Sequence, residues 1–257
     1  MSLAVSRPDA HTVRIQLDRP DALNAMSREL LGKLETTIRD LSLDTTVRAM
    51  ILTGTGRSFS TGADLKERAT MNPTEVRDFL NRIGVLFAAI EALPFPTICA
   101  INGFAFGGGL ELALTCDFRL AASDATLGLT ETSLGIIPGA GGTQRLTKLI
   151  GAAKSKLLVF TARKISASDA LKLGIVEEVV EPNDLDAAAL RLAGEIAKNA
   201  PIAVRQAKFA INAAASVDLA TGLTVERNAY EITIPTKDRV EALQAFREKR
   251  KPQFTGE

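Results

Sequence analysis

Two glutamates in glycine-rich surroundings are the residues best suited to chemistry in this chain. Glu111 ends segment 106–111, FGGGLE, and Glu131 lies twenty positions later, ahead of segment 138–145, PGAGGTQR. Glycines at the start of a helix leave backbone N–H groups accessible and let a ligand oxygen approach them closely. Two carboxylates beside such donors suit a reaction that transfers protons while an oxyanion is stabilised. A further glycine turn in segment 59–67, FSTGADLKE, could supply another N–H donor.

The two glutamates differ in what their neighbours predict. Glu111 lies between Leu110 and Leu112 in an apolar helix, so we expect it to be buried, which raises the pKa of a carboxyl group without a partner. Threonines flank Glu131. This residue could therefore equally be an ordinary charged residue at a helix end, without a role in the chemistry. The glycine runs match neither a dinucleotide-binding fingerprint nor a phosphate-binding loop, so nucleotide hydrolysis is not indicated.

Composition narrows the classes of protein. The 257 residues are 46% apolar and 24% charged, and 31 basic residues face 30 acidic ones. This balance gives no general attraction to nucleic acid or to an anionic membrane. No run approaches the roughly 18 apolar residues of a membrane span, and the first residues lack the features of a signal peptide. We therefore expect no membrane partner, and nucleic acid is not a favoured partner.

Cysteine and histidine are scarce, which restricts the available chemistry. Cys99 and Cys116 both lie in apolar runs, so they are expected to pack as reduced core residues. His11 is the single histidine. Most metal sites and any Ser-His or Cys-His catalysis are thereby excluded unless His11 takes part. We expect no metal site, and carboxylates are the natural acid–base groups.

The elements that must position these groups form strand–helix units, followed by a helical tail from about residue 200. Alternating and fully apolar runs predict strands, and apolar residues at helical spacing predict helices, with Ser27 capping the first. The predicted strands are 13–17, 47–53, 97–101, 117–122, 126–129 and 175–180. The predicted helices are 27–41, 73–93, one bearing Glu111, 143–150, 153–161, 167–173, 183–199, 201–215, 218–232 and 236–249.

Several of these segments together resemble one protein family. They are 60–67, STGADLKE; 101–113, INGFAFGGGLELA; Glu131; and 135–146, GIIPGAGGTQRL, in that order and spacing. The terminal segments 235–239 and 245–250 fit as well. From about Val13 to the C-terminus the chain resembles the crotonase (enoyl-CoA hydratase/isomerase) superfamily. It is most similar to the bacterial enoyl-CoA hydratases and to the AU-binding homologue, a methylglutaconyl-CoA hydratase.

The resemblance implies an α/β fold, a spiral of ββα units with a C-terminal helical trimerisation region. Residues 1–199 would form the core with the active site, and residues 200–257 would form the oligomerisation region of a homotrimer or a hexamer. The substrate would be an acyl-CoA thioester. No separate cofactor is implied, since coenzyme A is part of the substrate. The family would be cytoplasmic in a bacterium and in the mitochondrial matrix for a processed eukaryotic chain.

The resemblance also assigns roles to residues. The backbone N–H groups of Ala63 and Gly108 would form an oxyanion hole, and Glu111 and Glu131 would be the catalytic carboxylates. The remaining implied contacts are with the substrate and coenzyme A: Leu23, Ala25, Ala63, Asp64, Leu65 and Gly107, with Phe246 and Lys249 approaching the adenine and phosphate end from this or an adjacent subunit. The basic segment 247–251 could bind the phosphates of coenzyme A, but a solvated tail without a binding role explains its charge almost as well.

Retention of both glutamates favours a hydratase, because isomerases of this superfamily generally use one carboxylate. Enoyl-CoA isomerisation, methylglutaconyl-CoA hydration and, less favoured, RNA binding remain alternatives. Helix 27–41 carries three basic and three acidic residues, whereas the RNA-binding relative has a lysine-rich helix in this region. Some apolar residues are candidates for an acyl pocket, although core packing explains each as well: Leu86, Phe87, Phe104, Phe106, Ile136 and Ile137.

Overall fold

The computed structural model describes residues 2–257, which form ten strands and eleven α-helices. The strands are β1 Leu3–Ser6, β2 Thr12–Leu17, β3 Ala49–Gly54, β4 Ser58–Ser60, β5 Thr97–Ile101, β6 Phe104–Phe106, β7 Phe118–Ala122, β8 Thr126–Gly128, β9 Ile165–Ser166 and β10 Glu178–Val180. The helices are α1 Arg28–Ser42, α2 Leu65–Arg68, α3 Pro73–Glu91, α4 Gly108–Ala113, α5 Gly142–Ile150, α6 Ala152–Phe160, α7 Ala167–Leu173, α8 Leu185–Ala197, α9 Pro201–Ala214, α10 Leu219–Thr233 and α11 Lys237–Glu248. Short 3₁₀ helices span Pro20–Ala22, Glu131–Leu134 and Pro182–Asp184.

The strands form two sheets, and the chain passes from one to the other repeatedly. The larger sheet has the order β1-β2-β3-β5-β7-β10, and the smaller has the order β4-β6-β8-β9. In the pairs β3–β4, β5–β6 and β7–β8, the first strand joins the large sheet and the second joins the small one. Helical segments follow each pair. This repeat is the predicted spiral of ββα units.

The small sheet brings the ends of three distant segments together. Strands β4, β6 and β8 run parallel, so their carboxyl ends lie at one edge of the sheet. Residues 61–64 follow β4, residues 107–111 follow β6, and residues 129–131 follow β8. The three segments that the sequence singled out therefore meet at this edge.

The core is closed by helices whose starts the sequence encodes clearly. The hydroxyl of Ser27 accepts a hydrogen bond from the N–H of Leu30 at the start of α1, as predicted. Asn72 and Glu75 form a reciprocal capping box at the start of α3, with Pro73 at the first helical position. Helix α8 packs on β3, β5 and β7, and every residue of β3 and β5 is buried, as expected for strands covered on both faces.

Helices α9, α10 and α11 form the helical end of the chain. Helix α9 packs against α10, and the Nζ of Lys208 on α9 donates to the Phe95 carbonyl (3.0 Å) and to Asp117 (2.7 Å). Large apolar side chains on these three helices are exposed: Phe209, Ile211, Leu219, Leu223, Tyr230 and Phe246. Within residues 2–257, none of the helices combines the length and the apolar character that a bilayer crossing needs.

Some boundaries differ from the sequence-based ones. The strand predicted at 175–180 is only Glu178–Val180, because the N–H of Ile175 bonds back to the Ala170 carbonyl at the end of α7. The helix predicted from 183 begins with the 3₁₀ turn Pro182–Asp184 before α8. Cys99 and Cys116 are reduced and buried.

Candidate active site

Two backbone N–H groups lie side by side at the edge of the small sheet. Met26 donates to the Gly62 carbonyl (2.7 Å) and accepts from Asp64 (3.2 Å), so the N–H of Ala63 between them points away from this pairing. Gly108 is the first residue of α4, where a helix leaves its N–H groups without intrahelical acceptors. A Cβ atom on Gly108 would lie 3.7 Å from the Ala63 nitrogen. The two N–H groups are therefore neighbours at this edge of the sheet.

Glu111 lies one helical turn after Gly108 and is held from one side. Its side chain is buried, and its Oε1 accepts hydrogen bonds from the N–H groups of Ala140 (2.8 Å) and Gly142 (2.7 Å). Burial raises the pKa of Glu111, although these two donors and the charge of Arg145 act in the opposite direction. This carboxylate thus has a fixed orientation and partial stabilisation of its ionised form.

Glu131 is buried without such support. Neither of its carboxylate oxygens has a hydrogen-bond partner among the described residues. Burial raises the pKa of Glu131 to about 7; its own backbone N–H acts in the opposite direction, and the nearby charge of Glu111 adds to the effect of burial. A Cβ atom on Gly107 would lie 3.3 Å from its Oε1, so Glu131 adjoins the glycine run that carries Gly108. Glu131 can gain or lose a proton near neutral pH.

Four of the residues predicted to contact coenzyme A adjoin the Ala63 donor. Leu23 accepts from the N–H of Thr61 (3.2 Å), and the Ala25 carbonyl accepts from Arg19 (2.5 Å). Leu65 begins α2 and is exposed. The carboxylate of Asp64 is already engaged, because it caps α2 and pairs with Arg19 at 3.0 Å.

Phe246 and Lys249 lie apart from this group, at the end of α11. Phe246 is 84% exposed, and Lys249 is the helix C-cap in the left-handed conformation. In the part of the chain that the structure describes, no hydrogen bond or ion pair joins either side chain to the loops of the small sheet. Phe246 and Lys249 therefore remain predicted contacts of coenzyme A, from this or an adjacent subunit. Of the acyl-pocket candidates, Leu86 and Phe87 are core residues of α3, whereas Ile136 and Ile137 are exposed.

Sequence reasoning missed the groups that hold Glu111. The N–H donors of Ala140 and Gly142 come from the loop before α5, whose glycine-rich sequence was the available signal. A Cβ atom at position 142 would lie 2.9 Å from Cγ and Oε1 of Glu111, so only glycine permits this close approach. Among residues 2–257, no three His, Cys, Asp or Glu side chains are grouped so that they could hold a metal ion.

Comparison with known proteins identifies the family. Residues 9–257 match the family model "Enoyl-CoA hydratase/isomerase". A crystal structure of enoyl-CoA hydratase from Bacillus anthracis matches with a TM-score of 0.98 and 50% identity, over 100% of both chains. Human mitochondrial methylglutaconyl-CoA hydratase is 47% identical over 250 residues, covering 95% of this chain and 74% of the relative. Human mitochondrial enoyl-CoA hydratase domain-containing protein 2 is 46% identical over 258 residues, covering 98% and 88%. The chain therefore belongs to the enoyl-CoA hydratase/isomerase family and has the crotonase fold.

Proposed function

We propose that this chain is an enoyl-CoA hydratase that adds water across the 2,3 double bond of a 2-enoyl-CoA thioester. The observation that carries the proposal is the pair of buried glutamates with different surroundings beside two neighbouring N–H donors. One carboxylate is held by backbone donors, and the other has a pKa raised to about 7 by burial and by its neighbour. Two carboxyl groups in one site whose surroundings differ in this way can serve as base and acid in one reaction.

The backbone donors would act on the thioester carbonyl. Its oxygen would accept hydrogen bonds from the N–H groups of Ala63 and Gly108, which stabilise the negative charge that develops there as an enolate forms. Loss of one such donor typically lowers the rate by about 10²–10³-fold. Coenzyme A, as part of the substrate, would extend past Leu23, Ala25 and Leu65.

The glutamates would move the protons. A water oxygen bonds to the β-carbon while one of its protons passes to the Glu111 carboxylate. The Glu131 carboxylic acid gives its proton to the α-carbon, which takes the electron pair of the enolate. Glu111 is then protonated and Glu131 ionised. Before the next turnover Glu111 loses its proton and Glu131 gains one, so the number of protons on the pair is unchanged. No metal ion or separate cofactor is part of this scheme.

Two other reactions are compatible with parts of the site. Isomerisation of a 3-enoyl-CoA needs the N–H pair and one carboxylate, so the retention of both glutamates favours hydration. Methylglutaconyl-CoA is the strongest alternative substrate, because a relative with 47% identity carries that name. We favour a short or medium straight-chain 2-enoyl-CoA, since the sequence shows no distinct basic partner for a second substrate carboxylate.

RNA binding is a weaker candidate. On α1, Lys33 pairs with Glu29 and Arg39 with Asp40, while Arg28 pairs with Glu75 of α3. The basic side chains of this helix are therefore matched by carboxylates, whereas RNA affinity needs clustered unpaired positive charge. We further propose a homotrimer or hexamer, located in the cytoplasm of a bacterium or in the mitochondrial matrix for a processed eukaryotic chain.

The deciding experiment follows the loss of enoyl absorbance after adding crotonyl-CoA to the wild type, Glu111→Gln and Glu131→Gln. We expect rapid loss with the wild type and a decrease of about 10²–10⁴-fold in each variant, as for removal of a general acid or base. A well-folded wild type that leaves the absorbance unchanged would refute crotonyl-CoA hydration. Methylglutaconyl-CoA and then a 3-enoyl-CoA would be tested next.

A further inference from the structure

Arg145 connects the end of α3 to the loop that holds Glu111. Its side chain is only 18% exposed, and its Nε and Nη2 donate to the Glu91 carboxylate at 3.2 and 2.8 Å. Its Nη1 donates to the carbonyl of Ala140 at 2.9 Å. The guanidinium thus joins an ion pair to a backbone group in one rigid arrangement.

The same peptide segment carries the donors to Glu111. Ala140 and Gly142 each donate their N–H to Oε1 of Glu111, so the position of residues 140–142 fixes that oxygen. Gly141 between them has φ +102°, and Nη1 of Arg145 lies only 2.1 Å from where a Cβ atom would be. A side chain at position 141 would therefore displace the guanidinium as well as strain the backbone.

We propose that Arg145 is a positioning residue for Glu111: it holds residues 140–142 so that their N–H groups keep Oε1 of Glu111 in the orientation needed for proton transfer. The proposal deepens the hydratase function and rests on it. Arg145 makes its contacts with Glu91 and Ala140, and Ala140 in turn contacts Glu111, so its effect on the reaction is indirect. Glu91 has a supporting role, since it orients the guanidinium from the end of α3.

Two charged groups bear on Glu111. Arg145 of α5 lowers its pKa against the effect of burial, and Glu131 of the 3₁₀ helix interacts with it as a second carboxylate. Removal of Arg145 takes away one positive charge and loosens both N–H donors. Both changes destabilise the ionised form of Glu111, so its pKa rises.

The kinetic test compares Arg145→Gln and Arg145→Lys with the wild type. Arg145→Gln should lower kcat by about 10–100-fold with little change in KM, because misplacement of a catalytic group affects the chemical step. Arg145→Lys keeps the charge and one donor, so it should retain more activity than Arg145→Gln. In the Glu111→Gln background the Arg145→Gln change should lose almost nothing further. Equal losses in both backgrounds would overturn the proposal.

The chain offers a matched control. Arg82 of α3 forms a similar two-contact ion pair with Glu35 of α1, at 2.6 and 2.7 Å, remote from Glu111 in its contacts. Arg82→Gln should leave kcat unchanged. A loss like that of Arg145→Gln would show that removal of any such ion pair loosens the fold.

A second readout does not need turnover. Infrared titration of the buried carboxyl band, assigned by its disappearance in Glu111→Gln, measures the pKa of Glu111 directly. Arg145→Gln should raise that pKa relative to the wild type, and Arg82→Gln should not. An unchanged value in Arg145→Gln would overturn the positioning role. Absence of hydration by the wild type would refute the proposed function while this titration still decides the role of Arg145.

Discussion

Glu111 and Glu131 are the same residue type in one site, and their surroundings make them different groups. Two N–H donors and a nearby guanidinium support the charge of Glu111, whereas Glu131 is buried with no hydrogen-bond partner among residues 2–257. An ionised carboxylate that is buried without partners lowers the free energy of unfolding. Retention of Glu131 despite this cost is typical of a residue with a functional role.

This instability has a defined pH dependence. The pKa of Glu131 is raised from 4.5 to about 7, so its contribution to stability is full below pH 4.5 and is lost as the pH rises through 7. The shift corresponds to a loss on the order of 3 kcal/mol. Glu131→Gln should therefore be more stable than the wild type at pH 8 and nearly equal at pH 5, as measured by thermal unfolding. The exposed Asp124→Asn serves as control and should show no such pH-dependent gain.

The proton balance of the two glutamates predicts the pH–rate profile. Hydration needs one proton shared between Glu111 and Glu131, so the enzyme is inactive when both are protonated or both are ionised. The profile of kcat/KM should be bell-shaped, with its alkaline limb near the Glu131 pKa of about 7. Because hydration releases no proton, dehydration should give the same two limbs. A value of kcat/KM that stays constant or keeps rising above pH 7 would contradict the shared-proton scheme.

At the scale of elements, the long helices were predictable, whereas the short strands β4 and β6 were not. Helix α1, with its Ser27 cap, and helix α3, beginning at Pro73, have apolar periodicity over several turns. Strands β4 and β6 have only three residues each, too few for alternation to be recognised. The glycine segments beside them nevertheless indicated where the site would be.

The holders of Glu111 illustrate what the sequence could not provide. The bonds from Ala140 and Gly142 join residues 29 and 31 positions away, and they depend on how α5 approaches α4. A pattern of residue types contains no such distance information. The resemblance to a family supplied the glutamates, the N–H pair and the segment 135–146, but not the contact of this loop with Glu111.

Helix α4 gives a prediction because its first residue has almost no space for a side chain. A Cβ atom on Gly108 would lie 2.8 Å from Cε of Met26 and 3.4 Å from Cα of Gly62. Gly108→Val should separate the two N–H donors and reduce kcat by about 10²–10³-fold. Gly84→Ala on α3 is the matched control, since its Cβ meets nothing within 4 Å. This control should keep full activity and gain about 0.5–1 kcal/mol of stability in the helix, whereas equal losses in both variants would contradict the role of Gly108.

At the scale of the whole molecule, helices α9, α10 and α11 expose large apolar side chains that a second copy of the chain could cover. Exposed apolar patches of unusual size mark interaction sites in proteins. Leu223 and Tyr230 are seven positions apart, so they share one face of α10. We propose that the region 200–257 assembles copies of the chain, with residues 1–199 as the core.

Light scattering during size-exclusion chromatography tests this assembly. The 27.4 kDa chain should elute with three or six times that mass. Replacing both Leu223 and Tyr230 by Glu should shift the mass toward that of the monomer, because burial of two carboxylates in an apolar interface is unfavourable. A wild type that elutes as a monomer would refute the oligomer. Leu43→Glu, at an exposed site at the end of α1, is the control and should leave the mass unchanged.

The packing of α8 on the large sheet has a consequence for synthesis of the protein. Strands β3, β5 and β7 are complete by residue 122, but their cover α8 ends at residue 197. At about 5–20 residues per second, translation needs roughly 4–15 s to add these 75 residues. During that interval we expect the apolar sheet face that α8 later covers to stay exposed on the nascent chain, where it is open to chaperones and to aggregation.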